Sequence, residues 1–476
     1  MNATPKTGTV GKSLLVGALS VWISAVSTVS ANAENLADVL VSAYNHSGLI
    51  DQNRALLRAA DENVAIAVST LRPIVNWSAN MTRTWGTART TPLAPVASSV
   101  STTATLGISA SLLVYDFGQS KLRIDAAKEN VLATREGLIE IEQQVLLRAA
   151  SAYMNVRRHN EFVALRHSNV RLITQELRAA KDRFEVGEVT RTDVALAEAR
   201  LAAARAGLAG AQGLLVSAQE EFAAAVGHKP RNLSAPPRVP KTAPSPTAAK
   251  AIALRSHPNM KKTQHTVAAA ELNVLLAEAA MKPSVNLTAQ YGLTENINST
   301  LFQRGGSVGL NVTGPIYQGG RLSALARQAM AQRDSARAGL HIQRLAIAQS
   351  VGTSFSQLQV ARATLQAGER QVRAARVAFR GVREEATLGA RTTLDVLNAE
   401  QELLDAQANR ISASTDEYIA AYTLLSSMGL LTADKLKLAV QSYDPAAYYN
   451  MVQTAPTVKS AQGQKLDRVL RALGKE

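Results

Sequence analysis

The sequence predicts a mainly α-helical chain with a membrane β-barrel, in which a helix-strand-strand-helix-helix unit occurs twice. Sequence similarities recur at a separation of 202 residues, which indicates an internal duplication. Two stretches of about 70 residues contain no proline, which is typical of very long helices. Four segments of about ten residues alternate apolar and polar side chains, which is the length and the pattern of strands that cross a bilayer.

The N-terminal residues 1–33 have the features of a secretory signal peptide. Two lysines precede an apolar run at 13–26 that is too short to span a bilayer comfortably. Ala31 and Ala33 then supply a small-x-small cleavage site. We therefore expect an exported protein that is cleaved after Ala33, with no helix that anchors the mature chain in a membrane.

The composition excludes several kinds of chemistry. The chain has no cysteine, which excludes disulfides, thiolate catalysis and cysteine-ligated metal sites. Its seven histidines are scattered, without the spacing of a metal site or a catalytic motif. The net charge is +15, but the basic residues are spread along the chain, which favours solvated helix faces over a nucleic-acid-binding patch. We predict no enzymatic activity, no metal, no cofactor and no nucleic-acid partner.

The duplication divides the mature chain into four parts. The first copy covers residues 34–228, and the second covers residues 248–430. Between them lies a linker at 229–247 that holds six of the 15 prolines and is predicted to be extended. A tail at 431–476 follows no repeated pattern, and only its end is typical of a short amphipathic helix.

Each copy has the same predicted order of elements. A first helix ends before a proline, two strands follow, and a very long helix leads to a tight turn and a shorter returning helix. At 1.5 Å per residue each long helix reaches about 105 Å, so it must pack lengthwise on other helices as a coiled coil. The predicted first helices cover 36–71 and 248–281 (with a break at Pro258), the strands about 74–86, 102–115, 284–294 and 306–317, the long helices about 117–186 and 319–388, and the returning helices 192–226 and 392–428.

The strands have two unlike faces, and the apolar face is predicted to contact lipid. Four strands cannot close a barrel, and open sheet edges are not tolerated in lipid. Chains must therefore share strands: two chains give eight and three give twelve, and the residues leave both numbers open. The apolar face is Val75, Trp77, Ala79 and Met81 in the first strand and Leu106, Ile108, Ala110 and Leu112 in the second, and the turns from strand to long helix are marked by Tyr115, Gly118, Pro315, Gly319 and Gly320.

Of all the segments that occur in both copies, the turn between the long helix and the returning helix is the most similar. Gly187 is followed six residues later by Asp193, and Gly389 is followed six residues later by Asp395. This stretch is predicted to form the tip of each antiparallel helix pair, at the end of the molecule opposite the strands.

These motifs resemble the TolC family of outer-membrane efflux and secretion channels. The resemblance depends on "RFEVGEVTRTDV", "GPIYQGGRLSALARQA" and "LGARTTLDVLNAEQELLDAQ", and it covers nearly the whole mature chain. It implies a homotrimer with a 12-stranded barrel in the outer membrane of a Gram-negative cell, and a helical duct through the periplasm. It also implies two partners, a periplasmic adaptor (membrane fusion) protein and an inner-membrane efflux pump or ABC exporter. Multidrug efflux and type I protein secretion both remain open.

The resemblance further implies a gate at the periplasmic tips. Asp395 falls on one aperture acid of the family, whereas Asn398 replaces a second, so a trimer would have one ring of three carboxylates. Asp193 of the first copy is expected to pair with Arg391 of the second. Opposite charges at Glu176 and Arg383 are expected to form another link between the helix pairs. The alternative is that these are unpaired, solvated residues at the tips.

Two other function classes compete with a channel. A soluble periplasmic coiled-coil adaptor also has long helical hairpins, and an exported enzyme or binding protein could use a helical scaffold. Neither explains a duplicated unit that includes alternating strands of membrane length. The sequence therefore favours an outer-membrane channel.

Overall fold

The computed structural model describes residues 33–441 and 443–472, so the signal peptide predicted at 1–33 lies outside them except for its last residue. Within these ranges the chain folds into ten helices and one four-stranded sheet. The helices are α1 (Leu36–His46), α2 (Gly48–Ser69), α3 (Gln119–Glu185), α4 (Arg191–Val226), α5 (Pro246–Ser256), α6 (Pro258–Ala279), α7 (Arg321–Thr387), α8 (Thr393–Ser427), α9 (Pro445–Val452) and α10 (Ala461–Ala472), and the strands are β1 (Ile74–Ala88), β2 (Ala97–Tyr115), β3 (Ser284–Asn296) and β4 (Phe302–Thr313).

Each copy begins with two helices, which corrects the single helix predicted at 36–71. Ser47 adopts an extended conformation, and its hydroxyl accepts a hydrogen bond from the backbone N–H of Ile50, so it ends α1 and caps α2. His257 does the same before Pro258 in the second copy, 210 residues later. A serine cap followed by glycine is a weaker sequence signal than a proline, which explains why only the second break was predicted.

The sheet is antiparallel, with the order β1-β2-β3-β4. Its register places Trp77 opposite Ile108, and Ile108 opposite Tyr291, so the apolar residues predicted for one face do share one face. The last strand was predicted at 306–317 but covers Phe302–Thr313. Gly314 and Pro315 follow it, and a proline without an N–H group cannot continue a ladder of hydrogen bonds.

The two 67-residue helices α3 and α7 run along the molecule for about 100 Å each. Shorter helices are stacked end to end beside them: α6 and α8 lie between α3 and α7, and α2 and α4 lie along the other side of α3. In the half that contains the tips, the helices therefore follow the order α4-α3-α8-α7. Helices α4 and α7 are the two outer members of this layer.

The main core lies at the middle of the long helices, far from both ends. Its largest fully buried side chains include Tyr153, Phe222 and Leu358, contributed by α3, α4 and α7. The proline-rich linker at 229–247 crosses this region, and the hydroxyl of Tyr153 donates a hydrogen bond to the carbonyl of Ser234 at 2.7 Å. The middle of the molecule is thus the best-packed part, and the tips depend on coiled-coil contacts alone.

The C-terminal tail forms a helical hairpin on the outside of α2. Helix α9 runs along α2, where the hydroxyl of Tyr448 donates to the carboxylate of Glu62 at 2.7 Å. The chain then turns, and Arg72 donates to backbone carbonyls of Thr454 and Ala455 beside the start of β1. Helix α10 packs back on α9. The amphipathic end predicted for the tail corresponds to α10, whereas α9 was not predicted.

Candidate functional site: the helical tips

Both tips turn on a glycine in the left-handed conformation. Gly187 has φ +83° and Gly389 has φ +79°, and residues that carry a Cβ rarely adopt such positive values. The residue after each glycine donates its N–H to a carbonyl five residues earlier, from Glu188 to Arg183 and from Ala390 to Glu385, both at 2.9 Å. This is the Schellman arrangement that ends a helix, and it explains why both copies have glycine here.

The repeated aspartate has a structural role in both copies. Asp193 and Asp395 are the third residues of α4 and α8, and each forms a capping box with the threonine before its helix. One oxygen of Asp395 accepts hydrogen bonds from the N–H and the hydroxyl of Thr392 at 3.1 and 2.9 Å. These hydrogen bonds, above all the one from the backbone, lower the pKa of Asp395 below its usual value.

Within the single chain, Arg391 pairs with an acid of its own turn. Its guanidinium donates to the carboxylate of Glu385 at 2.8 Å, at the end of the preceding helix. This hydrogen bond raises the pKa of Arg391 above its usual value. A carboxylate oxygen of Asp193 accepts a hydrogen bond from the backbone N–H of Thr190 at 3.0 Å, within the capping box of α4. Within the single described chain each of the two residues thus has a partner on its own turn, and the Asp193–Arg391 pair stays a prediction for the assembled channel.

Glu176 and Arg383 do lie together, as the charge pattern predicts. The guanidinium Nε of Arg383 is 3.2 Å from a carboxylate oxygen of Glu176, and the side chain of Glu176 is only 13% exposed. The geometry is that of an ion pair without an aligned hydrogen bond. A cavity of about 180 Å³ opens beside the pair and is bordered by Ala386 and Leu397. This contact joins α3 to α7, and hence the first helical hairpin to the second.

Apolar packing, such as that of Leu397 against Ile173, and further polar contacts also join the hairpins, and sequence reasoning missed one of the polar contacts. Arg200 on α4 donates to the side-chain oxygen of Asn398 on α8 at 3.0 Å. Further along α8, Glu400 is buried and accepts a hydrogen bond from Asn169 on α3. Burial raises the pKa of Glu400 above its usual value. A signal was present in the sequence, because Glu400 lies between Leu397 and Leu404 on the buried face of α8.

The predicted turns between strands and long helices are present at the opposite end. Gly118 and Gly320 have φ +88° and +82° and precede α3 and α7, and Gly319 has φ +57°. In the first copy Phe117 has φ +52° at the position of Gly319, and its ring packs on Tyr115 with 4.7 Å between the ring centroids. Pro315 lies in the turn after β4. These turns connect the sheet to the long helices and set the direction in which each helix leaves the sheet.

The described residues contain no group of three or more His, Asp or Glu side chains arranged to hold a metal ion. One described helix, α4, is long and apolar enough to cross a membrane by length and composition alone. It instead lies along α3, and most of its alanine-rich surface is exposed in the single chain.

Two helical hairpins, each built on a helix about 100 Å long and continued by a sheet with an apolar face and open edges, define a subunit of an outer-membrane channel with a helical duct. The chain belongs to the outer membrane efflux protein family, whose model matches residues 39–228 and 251–430. Both copies of the duplication are included in this match.

Individual proteins agree with this assignment. The chain is 37% identical to the outer membrane efflux protein BepC of Brucella suis, over 93% of this chain and 95% of that protein. It is 26% identical to the outer membrane protein TolC of Vibrio cholerae, over 84% of this chain and 92% of that protein. The crystal structure of the Campylobacter jejuni CmeC outer membrane channel has a TM-score of 0.75 at 16% identity, and covers 95% of this chain and 98% of that one. The protein is thus an outer-membrane exit duct.

Proposed function

We propose that three copies of the chain form one continuous duct. The observation that carries this proposal is the open layer in both parts of the molecule. Strands β1 and β4 each have one unpaired edge, and α4 and α7 are the outer helices. Rotational symmetry brings β4 beside β1 of the next copy and α7 beside α4 of the next copy. This closes the sheet without an edge in lipid and covers the alanine-rich surface of α4.

Three copies rather than two follow from the need for a passage. Two copies give eight strands, whose interior is filled by side chains, whereas three copies give twelve strands and leave room for an aqueous pore. The polar face of the sheet then lines the pore, and the apolar face contacts lipid. The relatives named for efflux support export of small molecules, and secretion of proteins remains the second substrate class.

The duct works with a periplasmic adaptor and an inner-membrane efflux pump or ABC exporter in this proposal, because a passive pore has no energy source. The tips are the gate. Three Glu176–Arg383 links hold the first and second hairpins together in the closed state, and Asp395 supplies a ring of three carboxylates. The Arg383 side of each link is half exposed to water, which weakens the ion pair, so a closed state held by three such links can open when a partner binds.

Fractionation combined with export measurements tests this function. We expect the chain in the outer membrane as a trimer that dissociates on heating, and its deletion should raise the sensitivity of the cells to exported drugs. Restoration by the wild-type chain is the control. Recovery of the chain as a soluble monomer would exclude the duct.

A further inference from the structure

The C-terminal tail covers an unusual carboxylate. Asp61, on α2, is fully buried, and neither of its side-chain oxygens accepts a hydrogen bond from the described residues. Around it lies an apolar cluster that includes Leu57, Val64 and Val131, and the rings of Tyr443 and Tyr449 from the tail pack against this cluster. Burial of a carboxylate without hydrogen bonds is costly when the group is charged.

The second copy shows what the same positions do without a tail. Asp61 corresponds to Glu271 by the offset of 210 residues, and Arg135 corresponds to Arg337 by the offset of 202. Glu271 and Arg337 form a hydrogen-bonded ion pair at 2.6 Å, and both are about half exposed. The duplication thus placed an acid on the shorter helix opposite an arginine on the long helix in both copies.

In the first copy the described residues show no ion pair between Asp61 and Arg135, and the tail contacts the arginine instead. The guanidinium of Arg135 lies 5.3 Å from the ring centroid of Tyr449, and its Nε is buried without a hydrogen-bond partner among the described residues. Asp61 therefore lacks the hydrogen-bonded partner that Glu271 has. A tail that detached would expose Asp61 to water and free Arg135 to pair with it.

We propose that the tail hairpin is a pH-sensitive strap, which is docked on α2 when Asp61 is protonated and is released more readily when Asp61 is charged and pairs with Arg135. The strap also connects to the membrane sheet, because Arg72, two residues before β1, donates to the carbonyls of Thr454 and Ala455. Release would therefore loosen the junction between α2 and β1. This device is independent of the gate at the tips and of which pump the duct serves.

The sign of the effect follows from the other charges near Asp61. Arg135 on α3 favours its charged form, whereas Glu62 on α2 opposes it, and the tail contributes Tyr443 and Tyr448. Desolvation outweighs the attraction of Arg135 and raises the pKa of Asp61 to about 6. A carboxyl group with a raised pKa in the docked state binds its proton more tightly there, so acid favours docking. This advantage is lost as the pH rises through about 6.

The size of the effect can be stated for two experimental conditions. If the released state has the ordinary pKa of 3.8, the docking equilibrium should weaken about tenfold between pH 5 and pH 8. The chain has no cysteine, so a single introduced one can be labelled specifically. Lys465 lies on the exposed face of α10, and a nitroxide attached to a Lys465→Cys variant reports whether the tail is held or mobile.

The experiment compares the mobility of this label at pH 5 and pH 8 in the full-length protein, purified in detergent. We expect a larger mobile fraction at pH 8 in the otherwise wild-type chain. In an added Asp61→Asn variant the label should stay immobile at both pH values, because that side chain cannot become charged. Tyr449→Leu should reduce the pH response, because Arg135 then becomes free to pair with Asp61 under the docked tail.

The matched control is Glu271→Gln, which neutralises the corresponding acid of the second copy. It should leave the pH response of the tail unchanged, because Glu271 is exposed and already paired. The proposal is overturned if the label in the wild-type background has the same mobility at both pH values. It is also overturned if Asp61→Asn keeps the full pH response.

Discussion

The two helical hairpins have the same turns but different surroundings. Helix α8 packs on both α7 and α3, whereas α4 packs mainly on α3, and accordingly α8 has twelve buried positions against seven in α4. The corresponding residues Glu198 and Glu400 show the consequence. Glu198 is half exposed and pairs with Lys181 within its own hairpin, whereas Glu400 is buried and bonds to Asn169 of the other hairpin.

This comparison separates two kinds of sequence constraint. Residues that set the backbone, such as the tip glycines and the capping aspartates, are the same in both copies because the same geometry recurs. Residues that contact a neighbouring element differ, because the copies have different neighbours. The two long helices accordingly differ in charge, because α3 has twelve basic and nine acidic residues, whereas α7 has eleven arginines and four acidic residues. Positions that set the backbone, or that have the same surroundings in both copies, should therefore respond equally to substitution, whereas positions with different neighbours should not.

The largest effects are expected in the sheet, where the two copies should behave alike. Ile108 and Leu310 correspond by the offset of 202 residues and both belong to the apolar face. Arginine at either position should destabilise the barrel by about 2–4 kcal/mol if the position lies near the middle of the bilayer. The measurement is the fraction of chain that assembles into heat-dissociable trimers in the outer membrane.

The neighbouring polar positions are the control for this prediction. Arginine in place of Ser109 or Asn311 should allow assembly and change the conductance, because these side chains belong to the other face of the sheet. Equal assembly of all four variants, with unchanged conductance, would show that the faces are assigned wrongly.

A smaller effect, confined to one copy, is expected at the buried contact between the hairpins. Asn169→Ala should leave the buried carboxylate of Glu400 without its hydrogen-bond donor, at a cost of about 1–3 kcal/mol per chain. The corresponding residue of the second copy is Gln371, which is exposed, so Gln371→Ala should have almost no effect. The temperature at which trimers dissociate measures both. Similar shifts for the two variants would contradict the division between the copies.

The tip turns should again respond equally. Gly187→Ala and Gly389→Ala place a Cβ on residues in the left-handed conformation, which costs about 1–2 kcal/mol. Nothing lies within 4 Å of either Cβ, so backbone strain should be the whole effect in the single chain. Hydrogen exchange of the amides around each turn measures it. A much larger effect at one tip would indicate that this tip is packed against another copy.

Sequence reasoning predicted the features that local chemistry determines. Prolines and alternating side chains located the strands, and the glycines located the turns. The break at Ser47 was missed because a polar cap within a helical pattern is a weak signal. The Arg391–Glu385 pair within one chain was not predicted, because charge patterning does not choose between nearby acids. The environment of Asp61 was not predictable, since it depends on a tail more than 380 residues away.

Substitution of the ion pairs near the tips should change the stability of the trimer little, but it should have a clear functional readout at the gate. Lys181 and Arg383 correspond by the offset of 202 residues, and both pair with a glutamate. The Lys181 pair lies within the first hairpin, whereas the Arg383 pair joins the two hairpins. The Lys181 pair is half exposed on both sides and contributes about 0–1 kcal/mol. Loss of Arg383 costs more, because it leaves the mostly buried carboxylate of Glu176 without its partner, but neither substitution should prevent assembly. Only the loss of the link between hairpins should let the tips separate.

We therefore expect Arg383→Ala to raise the single-channel conductance of purified trimers in planar bilayers, and Lys181→Ala to leave it unchanged. Arg391→Ser should have the weaker effect of the two arginine substitutions, because its partner Glu385 belongs to the same hairpin. Asp395→Ala should reduce block by multivalent cations through the loss of three carboxylates, with little change in conductance. If Lys181→Ala opens the channel as far as Arg383→Ala does, the gate depends on the stiffness of each hairpin and not on the link between them.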